Sequence, residues 1–168
     1  MRKSLDFLYN SAAALAALFM VGLLVMILLS IVSRQLHFNV PGIDAYAGYL
    51  MAGAGFLALA HTLKRGEHIR VTLILQHLGP TAKRWLERWA MGAAAVLSML
   101  FAYFSVRLVW NSHAFNDIST GNDATALWIP QLAMAIGTVV LTIAAIDEFI
   151  LEWRGRVAVQ HTEALRHE

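Results

Sequence analysis

The sequence of 168 residues has no cysteine, only three prolines and few charged side chains. Without cysteine, disulfides, a thiolate nucleophile and a cysteine-ligated metal are all excluded. Asp, Glu, Lys and Arg make up 14% of the residues, well below the roughly 25% that is usual in soluble domains. Hydrophobic residues make up 58%. The shortage of charge therefore indicates a protein of the lipid bilayer.

Charged residues are missing altogether from four long runs of the sequence. The runs are 7–33, 45–63, 89–106 and 124–146. Each is about long enough for one helix to cross roughly 30 Å of hydrocarbon, which takes about 20 residues. We predict an all-α integral membrane protein with a single membrane domain over the whole chain. The predicted transmembrane helices cover about 11–33, 44–63, 89–110 and 127–147.

The start of the chain resembles a signal peptide in one respect, because Arg2 and Lys3 precede the first apolar run. That run is longer than the roughly 7–15 apolar residues of a signal peptide. Asp6 also interrupts the basic flank. We therefore expect an uncleaved first helix.

Basic residues are distributed unevenly between the predicted loops. If the chain starts inside, eleven of the thirteen Lys and Arg residues lie on the inner side, and the outer side holds Arg34 and Arg107. Because basic loops stay in the cytoplasm, we expect both termini to be cytoplasmic. The small net charge of +2 reflects this arrangement and gives no reason to expect nucleic-acid binding.

A polar segment, Lys64–Thr72, separates the second and third predicted spans. After it, apolar residues recur at helical spacing between polar ones on either side of Gly79-Pro80, a pattern typical of helices that lie on the membrane surface. We predict such interfacial helices over about 68–88. Tryptophans and cations at this level favour anchoring among the lipid headgroups. The predicted lipid anchors are Arg84, Trp85, Arg88 and Trp89.

Small residues recur at four-residue spacing along two predicted spans. They are Gly48, Ala52, Ala54 and Ala58 in the second span, and Ala90, Ala94, Ser98 and Ala102 in the third. Such stripes allow two helix backbones to approach closely. We therefore expect a helix–helix contact along each of them.

Two ionisable residues near span ends have structural explanations. Asp44 stands at the start of the second span, where a carboxylate favourably caps a helix. His61 lies near the inner end of the same span, and no second histidine falls well inside a span to act as the other axial ligand of a haem. We interpret His61 as a hydrogen-bonded packing residue.

Two acids end the fourth predicted span. Carboxylates at a helix C-terminus oppose the helix dipole, so Asp147 and Glu148 need cationic partners. The polar segment lies at the same membrane face. We predict that one of these acids lies within ion-pair distance of a cation in the polar segment, the candidates being Lys64, Arg65 and Arg70.

The segment Arg65–Val71 resembles the signature of a known family, the small membrane subunit (DctQ type) of tripartite ATP-independent periplasmic (TRAP) transporters. Leu127–Pro130 and Ile136-Gly137 are similar to the family's last span. Arg34, the short outer turn and Asp44 are similar to its first outer connection. Thr72 departs from the family pattern, which usually has an acid there. Ile43-Asp44 likewise replaces a more acidic, tryptophan-containing motif.

This resemblance implies a role in transport rather than catalysis. The small subunit would be a stationary scaffold in the bacterial inner membrane. It would assemble with a large subunit that holds the substrate and sodium sites and takes up a carboxylate-bearing solute delivered by a periplasmic binding protein. No cofactor is expected in this chain. The residues expected to fix the corner between the second span and the interfacial helices are Arg65, Gly66, Glu67, His68 and Arg70.

Two other functions remain open at this point. One is a haem- or quinone-binding anchor of a respiratory complex, which the single intramembrane histidine disfavours. The other is a small transporter that works as a homo-oligomer, which the lack of ionisable residues in the first span disfavours. A Soret band would support the former, and counterflow by this chain alone would support the latter.

Overall fold

A computed structural model describes residues 2–64 and 79–153. This part of the chain forms four long helices: α1 (Arg2–Gln35), α2 (Ile43–Lys64), α3 (Pro80–Ala114) and α4 (Trp128–Trp153). Each is long and apolar enough to cross a membrane. The predicted all-α architecture with four candidate spans is therefore confirmed, whereas the cytoplasmic location of the termini stays a prediction.

Helix α3 differs from the prediction because it runs without a break from Pro80 to Ala114. The expected separate interfacial helix is therefore wrong for residues 80–88, which are the first turns of α3. Proline is favourable at the first helical position, and no proline follows it before Pro130 to end the helix at Trp89. At 1.5 Å per residue, α3 is about 52 Å long and extends beyond the hydrocarbon. The remainder of that prediction, 68–78, lies outside the described residues.

The four helices are arranged as a row in the order α1, α2, α4, α3. Helix α2 packs between α1 and α4, and α4 packs between α2 and α3. Burial agrees with this order. In its most apolar part, α1 at the edge of the row has 6% of its residues buried, whereas α4 inside the row has 44%. On one face, the rings of Phe56 in α2 and Phe101 in α3 meet across α4, with their centroids 5.8 Å apart. The protein is therefore a slab about one helix thick.

The buried cluster of the slab lies where the inner end of α1 reaches both α2 and α4. It consists mainly of small side chains around one aromatic ring: Tyr9, Ala12, Ala60, Val140 and Ala144. Tyr9 is 1% exposed and Ala60 is completely buried. Alanines let the three backbones approach closely, which leaves space for a single large ring.

Two glycines mark close approaches between neighbouring helices, Gly53 between α2 and α1 and Gly137 between α4 and α2. A Cβ at Gly53 of α2 would lie 2.5 Å from the Phe19 ring, and a Cβ at Gly137 of α4 would lie 2.5 Å from the backbone oxygen of Phe56. The predicted small-residue contact on α2 is correct at Ala54, which is buried. It is wrong at Gly48 and Ala52, which are exposed.

The contact between α3 and α4 also follows a stripe of small residues, but a shifted one. Ser98 and Ala102 are buried as predicted, whereas Ala90 and Ala94 are exposed. A strict four-residue spacing turns about 40° around a helix at each step, since a turn contains 3.6 residues. The observed stripe mixes steps of three and four and so stays on one face. Its buried members are Ala95, Ser98, Ala102, Ser105 and Ser112.

One interhelical hydrogen bond reinforces this contact. The Thr142 hydroxyl of α4 lies 2.8 Å from the backbone oxygen of Ser98 in α3 and 2.8 Å from the oxygen of Thr138 in its own helix. The close approach that the small residues allow brings these groups together. Hydrogen bonds of this type contribute about 0.6 kcal/mol on average in membrane proteins.

Candidate interaction surfaces

Helices α1, α2 and α4 bring their predicted cytoplasmic ends together in a corner that we call the inner corner (Asp6, Tyr9, Lys64, Asp147 and Glu148). The Lys64 ammonium forms an ion pair with the Asp6 carboxylate. It also lies 4.8 Å from the centroid of the Tyr9 ring. Both charged side chains are substantially exposed, so this pair contributes orientation more than stability.

The inner corner follows from the helical register of the buried cluster. Residues three or four positions apart lie on the same face of a helix. Asp6 lies three residues before Tyr9, and Lys64 lies four residues after the buried Ala60. Asp147 and Glu148 follow the buried Ala144 in the same way. The small residues that bring the helices together therefore also bring their charges together.

The Tyr9 hydroxyl is the buried polar group of this corner. It has no hydrogen-bond partner within the described part of the chain. The carboxylates of Asp147 and Glu148 are close enough to act on it electrostatically. Carboxylates of α4 and the polar end of Tyr9 thus share one region of the inner corner.

Most of the predicted polar corner cannot be compared with the structure. Arg65, Gly66, Glu67, His68 and Arg70 lie outside the described residues. An ion pair of Asp147 or Glu148 with the polar segment therefore stays a prediction. The partner observed for Lys64, the acid of α1, was not foreseen. Its signal in the sequence was an isolated acid, Asp6, just before the first apolar run.

Tryptophans occupy both ends of the two helices at one edge of the slab. Trp85, Trp89 and Trp153 lie at the inner end, and Trp110 and Trp128 at the outer end. Trp89 and Trp110 are 64% and 76% exposed, and the 21 steps from one residue to the other correspond to about 32 Å of helix. This distance matches the thickness of the hydrocarbon. It supports the predicted anchoring of Trp85 and Trp89 at a headgroup level.

The two predicted cationic anchors accompany these tryptophans in α3. Arg88 is partly buried, and its guanidinium carbon lies 5.4 Å from the centroid of the Trp153 ring. Arg84 lies one turn earlier in the same helix. Arg88 therefore connects the start of α3 to the end of α4, an interaction that the sequence analysis did not predict.

A hydrogen-bonded network, which we call the outer latch (Tyr46, Tyr49, Ser119, Asp123 and Thr125), connects the outer loop to α2. The Tyr49 hydroxyl donates to the Asp123 carboxylate at 3.0 Å, and the Ser119 hydroxyl donates to it at 2.7 Å. Thr125 donates to the Tyr46 hydroxyl at 3.2 Å. The hydrogen bond from Ser119, together with the weaker one from Tyr49, lowers the pKa of Asp123 to about 2.

Gly42 makes room for the outer latch. Its φ of +79° is a left-handed conformation that glycine adopts without strain. A Cβ there would lie 2.5 Å from the Cβ of Asp123. The turn before α2 and the loop before α4 are therefore packed together. Sequence analysis does not reveal this contact, because hydrogen bonds between residues 74 positions apart have no local pattern.

The remaining predicted polar positions lie near the helix ends. Asp44 is in the first turn of α2, where a negative charge is favourable. Pro130 is in the first turn of α4, as expected. His61 is partly buried near the inner end of α2, and Arg107 is exposed on α3. Within residues 2–64 and 79–153, no group of three or more metal-ligating side chains is arranged to hold a metal ion.

Comparison with known proteins agrees with this architecture. The model of the family described as "Tripartite ATP-independent periplasmic transporters, DctQ component" matches residues 23–155. The match includes the C-terminal part of α1 from residue 23, the whole of α2, α3 and α4, and the polar segment between α2 and α3. A search of curated proteins found no match. Because the family match covers well over half of the sequence, the chain belongs to the DctQ family, the small membrane components of TRAP transporters.

Proposed function

We propose that this chain is the stationary membrane scaffold of a TRAP transporter. A large membrane subunit would bind it and carry out sodium-coupled uptake of a carboxylate-bearing solute, which a periplasmic binding protein would deliver. DctQ components are non-catalytic transport subunits, which favours this role over a haem- or quinone-binding anchor. The proposal places the protein in the bacterial inner membrane.

The observation that carries the scaffold role is the row of four helices. Neighbouring helix axes lie about 8–10 Å apart, so the slab is about 35 Å wide including the outer helices. Its edge helices bury few of their side chains. Exposed apolar side chains occur along α1 and α3, including Leu24, Leu28, Val96 and Tyr103. A thin, broad slab can offer a large fixed surface to a moving partner.

The second support is the absence of charge from the middle of the spans. The four uncharged runs of the sequence contain no acid that could form a sodium or proton site within the membrane. The ionisable groups of the described helices lie near their ends, as in the inner corner. We therefore assign the sodium and solute sites to the large subunit.

The segment Arg65–Arg70 is proposed to determine assembly. It follows α2 directly and begins beside the inner corner, where Asp147 and Glu148 of α4 offer negative charge. We propose that Arg65 or Arg70 pairs with one of these acids and so fixes the corner. The family resemblance of the segment supports this role.

Alanine variants of His68 and Arg70 test the assembly role. We expect both variants to reduce co-purification with the large subunit, and uptake to fall with it. Arg107→Ala is a suitable control, since it removes one exposed cation at the opposite end of the slab. Normal assembly and uptake in His68→Ala and Arg70→Ala would contradict the proposal. Lost uptake with normal assembly would instead indicate a role in the transport step.

The absence of cysteine allows a direct test of orientation. Single cysteines at Asn122 in the outer loop and at Lys83 near the start of α3 would be the only thiols in the chain. A membrane-impermeant maleimide added to spheroplasts should label Asn122→Cys, and it should label Lys83→Cys only after lysis. The opposite pattern would contradict the proposed cytoplasmic location of the termini.

A further inference from the structure

A groove lies between the first half of α3 and the last turns of α4, and we call it the Arg88 groove. It has a volume of about 630 Å³. Arg88, Trp85 and Trp153 line one end, and Val96 and Leu97 line the other. One end therefore offers a cation between aromatic rings, and the other end is purely apolar.

The floor of the groove is formed by Gly92 and Phe149, which pack closely. A Cβ at Gly92 would lie 3.3 Å from the Phe149 ring, and both residues line the groove. Val96 and Leu97 are 60% and 65% exposed, and they form an apolar wall further along α3. A long apolar chain can lie along this wall without displacing any side chain of the slab.

Arg88 is held in place at the mouth of the groove but is not fully satisfied. Its guanidinium lies over the Trp153 ring, an arrangement that fixes its position. Its Nε atom is buried and has no hydrogen-bond partner among the residues that the structure describes. A buried donor without an acceptor is costly. A guanidinium presents its donors in a planar fork that matches the oxygens of a phosphate.

Arg88 gives the groove its charge. It is the only charged residue among the described residues that line the groove. Glu87 is the nearest acid in sequence, but it is about 100° around the helix from Arg88. A zwitterionic headgroup would bring its own ammonium beside the Arg88 guanidinium. A singly anionic headgroup would not.

The position of the groove in the membrane identifies the rest of the ligand. Trp85, Trp89 and Trp153 place its mouth at the level of the headgroups. The end lined by Val96 and Leu97 then lies in the hydrocarbon. We propose that the Arg88 groove binds one anionic phospholipid, with its phosphate at the Arg88 guanidinium and an acyl chain along the apolar wall. This site is independent of the proposed transport role.

Tryptophan quenching by brominated lipids tests the site in the full-length chain. Three of the five tryptophans surround the groove, and Trp110 and Trp128 lie at the opposite end of the slab. In nanodiscs of phosphatidylcholine, the mole fraction of brominated phosphatidylglycerol is increased in one series and that of brominated phosphatidylcholine in a second series. Both lipids offer a phosphate to Arg88, but the choline ammonium of phosphatidylcholine places a like charge near the guanidinium, and this repulsion favours the anionic lipid about tenfold. The mole fraction at which quenching is half complete, the midpoint, should therefore be about tenfold lower for brominated phosphatidylglycerol than for brominated phosphatidylcholine.

Matched variants show whether Arg88 causes this preference. Arg88→Gln should bring the two midpoints together, whereas Lys83→Gln, which removes an exposed cation of the same helix outside the groove, should leave them apart. Val96→Phe, which narrows the apolar end without adding a tryptophan, should raise both midpoints. Circular dichroism of each variant in the same nanodiscs confirms folding.

Three results would overturn the proposal. The first is equal midpoints for the two lipids in the wild-type chain. The second is an undiminished preference in Arg88→Gln. The third, which decides if Arg88→Gln does not fold, is that Val96→Phe leaves both midpoints unchanged, which would place the bound lipid elsewhere.

Discussion

Gly137 lies where α4 packs directly against the backbone of α2, and it offers the sharpest test of the fold. A Cβ there would lie 2.5 Å from the backbone oxygen of Phe56 and 2.9 Å from its Cβ. Favourable contacts between such atoms need about 3.5 Å. Gly137→Ala must therefore move two helix backbones apart by roughly 1 Å, because no side-chain rotation relieves a contact with backbone.

The size of the effect is best measured against a second glycine. Gly55→Ala in α2 meets nothing within 4 Å, so it gains only the better helix propensity of alanine, up to about 1 kcal/mol. Gly137→Ala has the same gain together with an overpacking cost of about 1–3 kcal/mol. The difference in free energy of unfolding between the two variants is therefore that overpacking cost.

Thermal unfolding of the full-length chain in detergent measures this difference. For a chain of this size, each kcal/mol corresponds to about 2–4 °C. Gly137→Ala should melt several degrees below Gly55→Ala, and Gly48→Ala should behave like Gly55→Ala, since its Cβ also has open space. Equal melting temperatures of the 137 and 55 variants would refute the close packing of α2 against α4.

Three further predictions concern single side chains. Asp123→Asn should increase hydrogen exchange in residues 117–127. In the wild type, the pKa of Asp123 is lowered to about 2, so its stabilisation of the loop is complete above pH 3.8 and is lost only as the pH falls towards 2. Protection of the loop from hydrogen exchange, corrected for intrinsic exchange, should therefore be equal at pH 5 and pH 8. Thr142→Val should lower the free energy of unfolding by about 0.6 kcal/mol, measured by thermal melting; a loss above 2 kcal/mol would contradict a single interhelical hydrogen bond. Tyr9→Phe should leave the melting temperature within a few degrees of wild type, whereas Tyr9→Ala should lower the free energy of unfolding by about 3–5 kcal/mol through the cavity it leaves.

The four membrane helices were predictable because hydrophobic length and missing charge are local properties of the sequence. The ends of the helices were less so. The predicted start of the third span, Trp89, relied on a change from amphipathic to uniformly apolar residues. Such a change marks the membrane surface, but it does not end a helix. The structure continues α3 back to Pro80, because only a helix-breaking residue would stop it.

The faces that pack were only partly predictable, because spacing does not reveal which neighbour a helix meets. Gly48 and Gly53 look equally suited to a close contact in the sequence. The structure buries Gly53 against Phe19 and leaves Gly48 with open space. The order of helices in the row decides this outcome. Gly137 was recognised through a family pattern, and the structure supplies its physical reason in the backbone of Phe56.

The charged contacts depended on long-range geometry to an even greater degree. The sequence indicated that the acids ending α4 need partners near the polar segment. It gave no indication that Lys64 pairs with Asp6 or that Asp123 receives hydrogen bonds from Tyr49 and Ser119. These pairs join segments that only the packed row brings together. Each becomes simple to explain once the order α1, α2, α4, α3 is known.

Reconstitution tests the scaffold role most directly. Liposomes would contain this chain alone, the large subunit alone, or both, with the binding protein and solute outside and an inward sodium gradient. The proposed role predicts solute uptake only when both membrane subunits are present, and its loss when the sodium gradient is removed. Solute counterflow in liposomes that contain this chain alone would contradict the scaffold role.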